Sequence, residues 1–343
     1  MSSELILAAV IILIALSFDF INGFHDAANS VATVVSTRVL TPFQAVAWAA
    51  AFNFVAAISF GTGVAHTVGT GLIELSIVTP YVILAALLGA ITWDLLTWWW
   101  GLPTSSSHAL FGGYAGAAMV RATMLRGVAQ SGSVLIWSGW AKTVFFMVVS
   151  PLIGLIAASL LMSAVYWLFR NATPKRMDVY FRRLQIVSAA AFSYAHGTND
   201  AQKTMGIITG VLVTTGFQKH FVVPFWVIAC ASAAIGFGTL FGGWRIVHTV
   251  GSRITKLKPR GGFCAETAGA ASILLATALG VGVSTTHVIT GAIAGVGSVQ
   301  RVKAVRWGVA ANIVWAWVMT IPASAAVAAF VYFILRIIGL DRL

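Results

Sequence analysis

Two short polar motifs each place a carboxylate inside a long apolar run. The first is Asn22–Asn29 (NGFHDAAN) and the second is His196–Lys203 (HGTNDAQK), so that Asp26 and Asp200 occupy corresponding places in the two halves of the chain. An ionised carboxylate is costly in hydrocarbon, and inside a membrane segment it usually marks a path for ions or polar substrates. Its recurrence at matching positions of two halves is typical of secondary transporters.

The chemistry that these motifs offer is cation binding or proton transfer. Carboxylate and amide oxygens are the hard ligands that sodium requires, and carbonyls of an unwound backbone can complete such a site. A buried carboxylate can equally carry a proton, because desolvation disfavours its charged form. Sodium, if it is the coupling ion, is expected on Asp26 and Asp200. The predicted cation-coupling residues are Asn22, His25, Asp26, Asn29, Asn199 and Asp200.

Lys203 breaks the symmetry of the two motifs, because it stands where Asn29 stands in the first copy. A lysine one helical turn after Asp200 can pair with that acid. It can instead neutralise an anionic substrate. Both roles stay open from the sequence, as do proton transfer and simple hydrogen bonding for the histidines beside the acids. Three further intramembrane acids, which either tune this site or have structural roles, are Asp19, Asp94 and Glu266.

Two hydroxyl-rich stretches form a second matched pair. Ser105–His108 (SSSH) in the first half returns as Ser284–His287 (STTH) in the second. Each precedes a glycine-spaced helix, so that the N–H groups and hydroxyls of its first turn converge as a cradle for an oxyanion. Helix capping explains one hydroxyl, but not three in succession at matched positions. The predicted anion-binding residues are Ser105, Ser106, Ser107, Ser284, Thr285, Thr286 and Lys203.

The composition places these motifs in an integral membrane protein. Hydrophobic residues make up 59% of the 343 residues and charged residues only 9%, whereas soluble domains carry about 25% charged residues. The net charge of +12 arises from basic residues in short loops, as the positive-inside rule predicts for cytoplasmic loops. Nucleic acid is therefore not predicted as a partner, whereas the lipid bilayer is. The two cysteines predict no disulfide framework.

The order of the motifs predicts an all-α, inverted-repeat membrane protein. The first apolar segment of each half, about 5–37 and 186–215, is expected to be a helix broken at the acid motif. The stretches 102–120 and 282–299 are expected to be re-entrant hairpins. The predicted domains are a first repeat (1–170), a basic cytoplasmic linker (171–185) and a second, inverted repeat (186–343).

The last apolar segment of each half decides the predicted number of crossings. At about 1.5 Å per residue, each is long enough to cross the bilayer twice, with a turn near Pro151 or Pro322. This gives five crossings and one hairpin in each half, or about ten crossings plus two hairpins. An odd number of crossings inverts the second half relative to the first.

In combination, these motifs resemble those of the inorganic phosphate transporter (PiT) family. Its Gly-x-Asn-Asp-x-x-Asn signature is matched by Gly23–Asn29 and Gly197–Lys203, and its two hairpin motifs are matched by Pro103–His108 and Val283–His287. Gly262–Glu266 looks like its second-half entry motif. The resemblance covers essentially the whole chain. It implies a multi-pass transporter of the cell (inner) membrane, a homodimer that moves phosphate with Na⁺ or H⁺ and needs no other cofactor.

Departures from the family pattern leave the coupling ion open. His25 replaces the first signature asparagine, and Lys203 replaces the last one of the second copy. Animal sodium-coupled members carry a glutamate in the next span of each half, where this chain has Asn53 and Cys230. Proton coupling therefore stands beside sodium coupling. Some relatives resemble sulfate permeases, so sulfate, arsenate or a metal–phosphate complex stays open as the substrate.

The leading hypothesis is a cation-coupled phosphate symporter that works by alternating access and is not an enzyme. One rival is a sulfate or other oxyanion permease of the same fold. Another is an intramembrane aspartyl hydrolase, in which Asp26 and Asp200 would form a catalytic dyad. Those enzymes resemble a Gly-x-Gly-Asp pattern, which neither motif has, and a hydrolase would leave the paired hydroxyl stretches unexplained. A passive anion channel is a third alternative.

Overall fold

The computed structural model describes residues 3–59 and 61–341, and this part of the chain is helical with no strand beyond one isolated bridge. The predicted all-α fold class is therefore confirmed. The α-helices are α1 (Ser3–Ser36), α2 (Pro42–Ser59), α3 (Gly63–Thr70), α4 (Pro80–Trp100), α5 (Ser106–Arg126), α6 (Trp137–Leu168), α7 (Pro174–Thr214), α8 (Phe225–Phe241), α9 (Trp244–His248), α10 (Pro259–Ala278), α11 (Thr285–Gln300) and α12 (Trp307–Ile337).

Four of the described helices, α1, α4, α6 and α12, are long and apolar enough to cross a membrane. The count becomes five if α8 and the segment Trp244–Arg253 form one bent span. The predicted count of about ten crossings is not confirmed. The predicted turns near Pro151 and Pro322, on which this count depended, are wrong, because both prolines lie inside the continuous helices α6 and α12. A helix of 32 residues spans about 48 Å and suits one tilted crossing.

In the second half of the chain, the described residues show the helix break one element later than predicted. Helices α1 and α7 continue through both acid motifs, so that the motif backbone is hydrogen-bonded within the helix and offers no unwound carbonyls. The chain bends by 63° between α8 and α9 instead. Gly242, with a φ of +66°, lies at this bend. Residues 174–185, predicted to belong to a linker, form the first turns of α7.

Each predicted hairpin is one arm of a larger one. The stretches 102–120 and 282–299 do not fold back on themselves, since α5 and α11 are continuous helices. The hairpins are instead the pairs α4–α5 and α10–α11, whose members pack against each other and are joined by short tips. Ser105 and Ser284 cap the second arms by accepting hydrogen bonds from the N–H groups of His108 and His287.

The two halves of the chain interlock. Helix α12 packs against α4 and α5 of the first half, and α6 packs against α10 and α11 of the second. In the same manner, α1 packs against α8, and α2 packs against both α7 and α8. Neither acid-bearing helix is therefore held by its own half alone. The division of the chain into the repeats 1–170 and 186–343 stays a prediction.

Glycines allow the hairpin helices to approach their partners closely. A Cβ on Gly112 of α5 would lie 2.9 Å from Ile321 Cα of α12, and a Cβ on Gly291 of α11 would lie 2.9 Å from Pro151 Cα of α6. The two glycines occupy matching positions after the two hydroxyl-rich tips. Small residues at helix crossings are how membrane helices gain close van der Waals contact.

We predict that Gly291→Val destabilises the protein, because the added side chain overlaps the main chain of α6. Overpacking of this kind typically costs about 1–3 kcal/mol. The measurement is thermal unfolding of the purified protein in detergent, in which the variant should unfold at a lower temperature than the wild type. Gly308→Val is the matched control, because a Cβ at this helical glycine meets nothing within 4 Å. Equal unfolding temperatures for the two variants would contradict the close packing.

Candidate functional site

The acid motifs meet because α1 and α7 contact each other and present their polar residues on one face. On α1, Asn22, Asp26 and Asn29 follow one another at intervals of three or four residues, and on α7 so do His196, Asp200 and Lys203. Since neither helix is broken, this spacing aligns the side chains along one face. Asp26, His196 and Asp200 each offer a ligand atom within 4.8 Å of those of the other two.

The signature glycine of each motif sits at the crossing of two helices. A Cβ on Gly23 of α1 would lie 3.0 Å from Ile235 Cα of α8, and a Cβ on Gly197 of α7 would lie 2.8 Å from Asn53 Cα of α2. Any side chain here would push the helices apart. Glycine at these positions thus brings both acid-bearing helices against the second helix of the opposite half.

Asp26 is buried and receives contacts from both halves of the chain. His25 Nδ1 lies 2.7 Å from Asp26 Oδ1, and His25 Nε2 lies 3.1 Å from Thr97 Oγ1 of α4. Thr286, at the tip of α11, donates its hydroxyl to Asp26 Oδ2 across 3.4 Å and accepts from Asn29 Nδ2 across 2.8 Å. The carboxylate is thereby connected to both hairpins.

Asp200 has an equivalent position in the second motif. His196 Nε2 lies 3.1 Å from Asp200 Oδ2, and Thr285 donates its hydroxyl to the same oxygen across 3.2 Å. Because Thr285 and Thr286 are neighbours, the tip of α11 contacts both carboxylates. His196 Nδ1 lies 3.2 Å from Asn53 Oδ1, so that α2 also supports this side of the site.

Lys203 is buried with its ammonium group among oxygen atoms. It donates hydrogen bonds to the Asp200 carboxylate, to Ser107 Oγ at the tip of α5 across 2.5 Å, and to the Val283 carbonyl across 3.1 Å. Its exposed fraction is 1%. The pairing with Asp200 that the sequence allowed is present in the structure.

Several buried oxygen atoms around this cluster have no hydrogen-bond partner among the described residues. An unpaired buried polar group typically costs about 1–3 kcal/mol, so such groups usually mark a site that takes an ion, water or substrate. Most of them belong to the first motif, to its hairpin tip or to the nearby acids. The atoms are Asn22 Oδ1, Asn29 Oδ1, Asn199 Oδ1, Ser106 Oγ and both carboxylate oxygens of Asp19 and of Asp94.

The predicted hydroxyl residues of the two tips divide into those that lie at the acid cluster and those that cap a helix, and Asn199 has a third role. Ser107, Thr285 and Thr286 contact the acids or the lysine, and Ser106 is buried beside them with a hydroxyl that has no partner among the described residues. Ser105 and Ser284 are helix caps, which is the role that capping alone predicts. Asn199 donates to Thr277 Oγ1 across 2.8 Å and to the Val281 carbonyl across 3.2 Å. Its amide nitrogen thus supports the tip of the second hairpin.

The three further acids differ in their surroundings. Glu266 is satisfied, because it accepts hydrogen bonds from Gln185 across 3.0 Å and from Ser188 across 2.5 Å. Asp19, on α1 before the first motif, lies near Thr204 and Asn22. Asp94 lies near His25 and Ser106. The unpaired carboxylates of Asp19 and Asp94 therefore border the candidate site, whereas Glu266 ties α7 to α10.

Few features of the sequence marked the residues that hold the hairpin tips in place. Trp317 of α12 donates to the Pro103 carbonyl across 2.9 Å and stacks on His287, with ring centroids 3.7 Å apart. His287 in turn lies 4.8 Å from His108, centroid to centroid. The matched positions of the two histidines were a signal, but nothing marked Trp317. Thr97, which lies between His25 and Thr104, was likewise missed.

Comparisons with known proteins agree on one family. A model of the phosphate transporter family matches residues 22–328. A "Probable low-affinity inorganic phosphate transporter" of Rhizobium meliloti (strain 1021) is 58% identical over 325 residues, which cover 94% of this chain and 95% of the relative. Its namesake in Bacillus subtilis (strain 168) is 46% identical over 97% of this chain and 98% of the relative. A solved structure titled "The sodium-dependent phosphate transporter" aligns with a TM-score of 0.86 and 27% identity over 97% of this chain and 99% of that one.

We predict that Lys203→Met destabilises the protein, because it leaves the Asp200 carboxylate buried without its cationic partner. Removing one partner of a buried ion pair typically costs about 3–5 kcal/mol. Lys203→Met combined with Asp200→Asn should cost less than Lys203→Met alone, as measured by thermal unfolding in detergent. Asp178→Asn is the control, since it removes the charge of an exposed pair with Arg182 of a kind that contributes about 0.3–0.5 kcal/mol. If the destabilisation of the double variant equalled the sum of those of Lys203→Met and Asp200→Asn alone, the pairing would be contradicted.

Proposed function

The chain belongs to the phosphate transporter family, and we propose that it moves inorganic phosphate together with a cation by alternating access. It is a multi-pass membrane transporter and not an enzyme. The observation that carries the proposal is the position of the α11 tip. Its adjacent residues Thr285 and Thr286 contact Asp200 and Asp26 respectively. A phosphate held at this tip would lie beside both carboxylates.

The proposed phosphate site lies between the N-termini of α5 and α11. The first N–H groups of a helix lack partners within the helix, and the helix dipole favours an anion there. Both tips are buried, and they meet at the cluster through Ser107 and Thr286. Ser106 lies near Asp94, and its hydroxyl has no partner at hydrogen-bond geometry among the described residues, so that it is available to donate to a phosphate oxygen.

The proposed cation site uses the oxygen atoms of the first motif. Asp26 supplies a carboxylate and Asn29 an amide oxygen that has no donor among the described residues. These are the ligand types that sodium prefers. The similar solved structure is titled sodium-dependent, which favours sodium over a proton. His25, bonded to Asp26, keeps proton coupling as the alternative.

Electrostatics would couple the two substrates. At an effective dielectric constant of about 20, two unit charges about 4 Å apart interact by about 4 kcal/mol. Because Lys203 already pairs with Asp200, a phosphate at the α11 tip would be repelled mainly by Asp26 until a cation compensates that carboxylate. Occupancy by the cation therefore raises the affinity for phosphate, and by thermodynamic reciprocity phosphate raises the affinity for the cation.

Alternating access would use the interlocked hairpins as moving parts. Each hairpin packs against the last helix of the opposite half, so that a shift of α6 or α12 would move a tip with it. For this cycle we propose the two repeats 1–170 and 186–343, a place in the cell (inner) membrane and a homodimeric assembly. The hydroxyl tips would also suit another tetrahedral oxyanion, so a sulfate permease is the second candidate, and competition of sulfate with labelled phosphate distinguishes the two.

We predict that Asp26→Asn and Asp200→Asn each abolish phosphate uptake without loss of the protein from the membrane, because the first removes the carboxylate of the proposed cation site and the second removes the carboxylate that binds the Lys203 ammonium. The assay is uptake of radiolabelled phosphate into cells or vesicles, normalised to the amount of transporter. Asp178→Asn, which changes an exposed acid on α7, should transport normally. Normal uptake by either site variant would contradict the assignment of the acids.

Ser106→Ala should raise the KM for phosphate by about ten- to a hundredfold, because it removes one hydrogen bond to an anion, worth about 1.5–3 kcal/mol. The maximal rate at saturating phosphate should change less than the KM. Initial rates of uptake over a range of phosphate concentrations give both quantities. Ser133→Ala is the matched control, since Ser133 lies in an exposed 3₁₀ helix (Val128–Val134) and donates to the Gln130 carbonyl. An unchanged KM would remove Ser106 from the phosphate site.

A further inference from the structure

We propose that the ammonium group of Lys203 is a built-in cation that occupies one of two cation positions in the site. The protein would then carry one cation fewer with each phosphate than a site with asparagine in both motifs. This inference rests on the proposed cation-coupled symport and specifies its stoichiometry. It assigns to Lys203 a role different from the phosphate contact that the sequence suggested.

The surroundings of the ammonium group are those of a bound metal cation. Its three partners are a carboxylate, a hydroxyl and a backbone carbonyl, from Asp200, Ser107 and Val283. They come from three separate elements: helix α7, the tip of α5 and the tip that precedes α11. Converging oxygen ligands of these three kinds are what a hard cation such as sodium takes from a protein.

The equivalence of the two motifs places this ammonium opposite the proposed exchangeable cation. Lys203 and Asn29 stand at the same place in their motifs, three residues after the acid. Asn29 Nδ2 contacts Thr286 at the α11 tip, and Lys203 Nζ contacts Ser107 at the α5 tip. Thr286 and Ser107 are themselves matching residues, each directly before the histidine of its tip. Each motif thus reaches the hairpin tip of the opposite half through the same position.

The surroundings of the first motif (the first side) and of the second motif (the second side) differ in the number of buried oxygen atoms that have no hydrogen-bond partner among the described residues. On the first side, Asn29 Oδ1, Asn22 Oδ1 and Ser106 Oγ have no hydrogen-bond partner within the described residues. On the second side, the ammonium group is bonded to both Ser107 and Asp200, and Asn199 Oδ1 is the one unpaired motif oxygen that the described residues show. More unpaired acceptor oxygens therefore remain at the first motif, where a mobile cation is proposed. At the second motif, the acceptors near Lys203 are already bonded to its ammonium group.

The donor count of Lys203 argues against direct binding of phosphate. A lysine ammonium has three hydrogen atoms and no acceptor. Three acceptors lie within hydrogen-bond distance of Nζ, so that no donor is left for a phosphate oxygen. The charge balance points the same way. Lys203 compensates the Asp200 carboxylate, which leaves the Asp26 carboxylate for an exchangeable cation.

The decisive experiment counts charge in proteoliposomes that contain the wild type or Lys203→Asn. The reversal potential of phosphate transport, measured at fixed pH with opposing phosphate and sodium gradients, gives the charge moved per phosphate. We expect this charge to rise by about one elementary charge in Lys203→Asn, because a mobile cation replaces the fixed ammonium. Lys203→Arg, which keeps the positive charge, should retain the wild-type value. Lys219→Asn controls for loss of an exposed lysine.

The result that would overturn the proposal is an unchanged charge per phosphate in Lys203→Asn together with a raised KM for phosphate. That combination would show that the lysine binds the anion directly. Failure of the proposed function itself looks different: the wild type would then show no uptake of phosphate driven by a sodium or proton gradient.

A second measurement covers the case in which Lys203→Asn folds but does not transport. Thermal unfolding of the detergent-purified variant is followed in sodium chloride and in choline chloride at equal ionic strength. Sodium should stabilise Lys203→Asn more than it stabilises the wild type, because the variant has one additional site for a mobile cation. Equal stabilisation of the two proteins by sodium would overturn the proposal, whether or not either of them transports.

Discussion

The structure depends on two carboxylates that lie in the interior of a membrane protein. Asp26 and Asp200 are both almost fully buried, where an uncompensated charge is strongly unfavourable. Each is stabilised by a histidine on its own helix and by one threonine of the α11 tip, and Asp200 also by a lysine. The acids therefore determine which helices must meet and which groups the hairpin tips must carry.

The interlocked packing of the halves gives these polar groups a defined geometry. Helices α6 and α12 each cover a hairpin, and glycines at matching positions let the backbones approach closely. Trp317 adds a hydrogen bond from α12 to the tip of the first hairpin. Because the α11 tip contacts both acids, and the α5 tip contacts the lysine that pairs with Asp200, movement of the tips would change the compensation of both charges at once.

The asymmetry between the motifs is as informative as their similarity. A single replacement, lysine for asparagine at position 203, fills one side of the cluster with a fixed positive charge and three hydrogen bonds. The other side keeps amide and hydroxyl oxygens without donors among the described residues. Under the proposed mechanism, exchanging this one side chain would change the coupling, since the oxygen ligands suit an ammonium group and a metal ion alike.

The sequence alone determined the membrane class, the two pairs of matched motifs and the family, because the position of acids within apolar runs and the spacing of the motifs can be read from the chain itself. It did not determine where helices break or turn. Helices α1 and α7 stay continuous through polar residues, and α6 and α12 through prolines, since neighbouring helices satisfy or cover the affected groups. Only the tertiary structure decided that Lys203 also reaches Ser107 at the α5 tip and the Val283 carbonyl, because those partners are brought to it by contacts between distant segments.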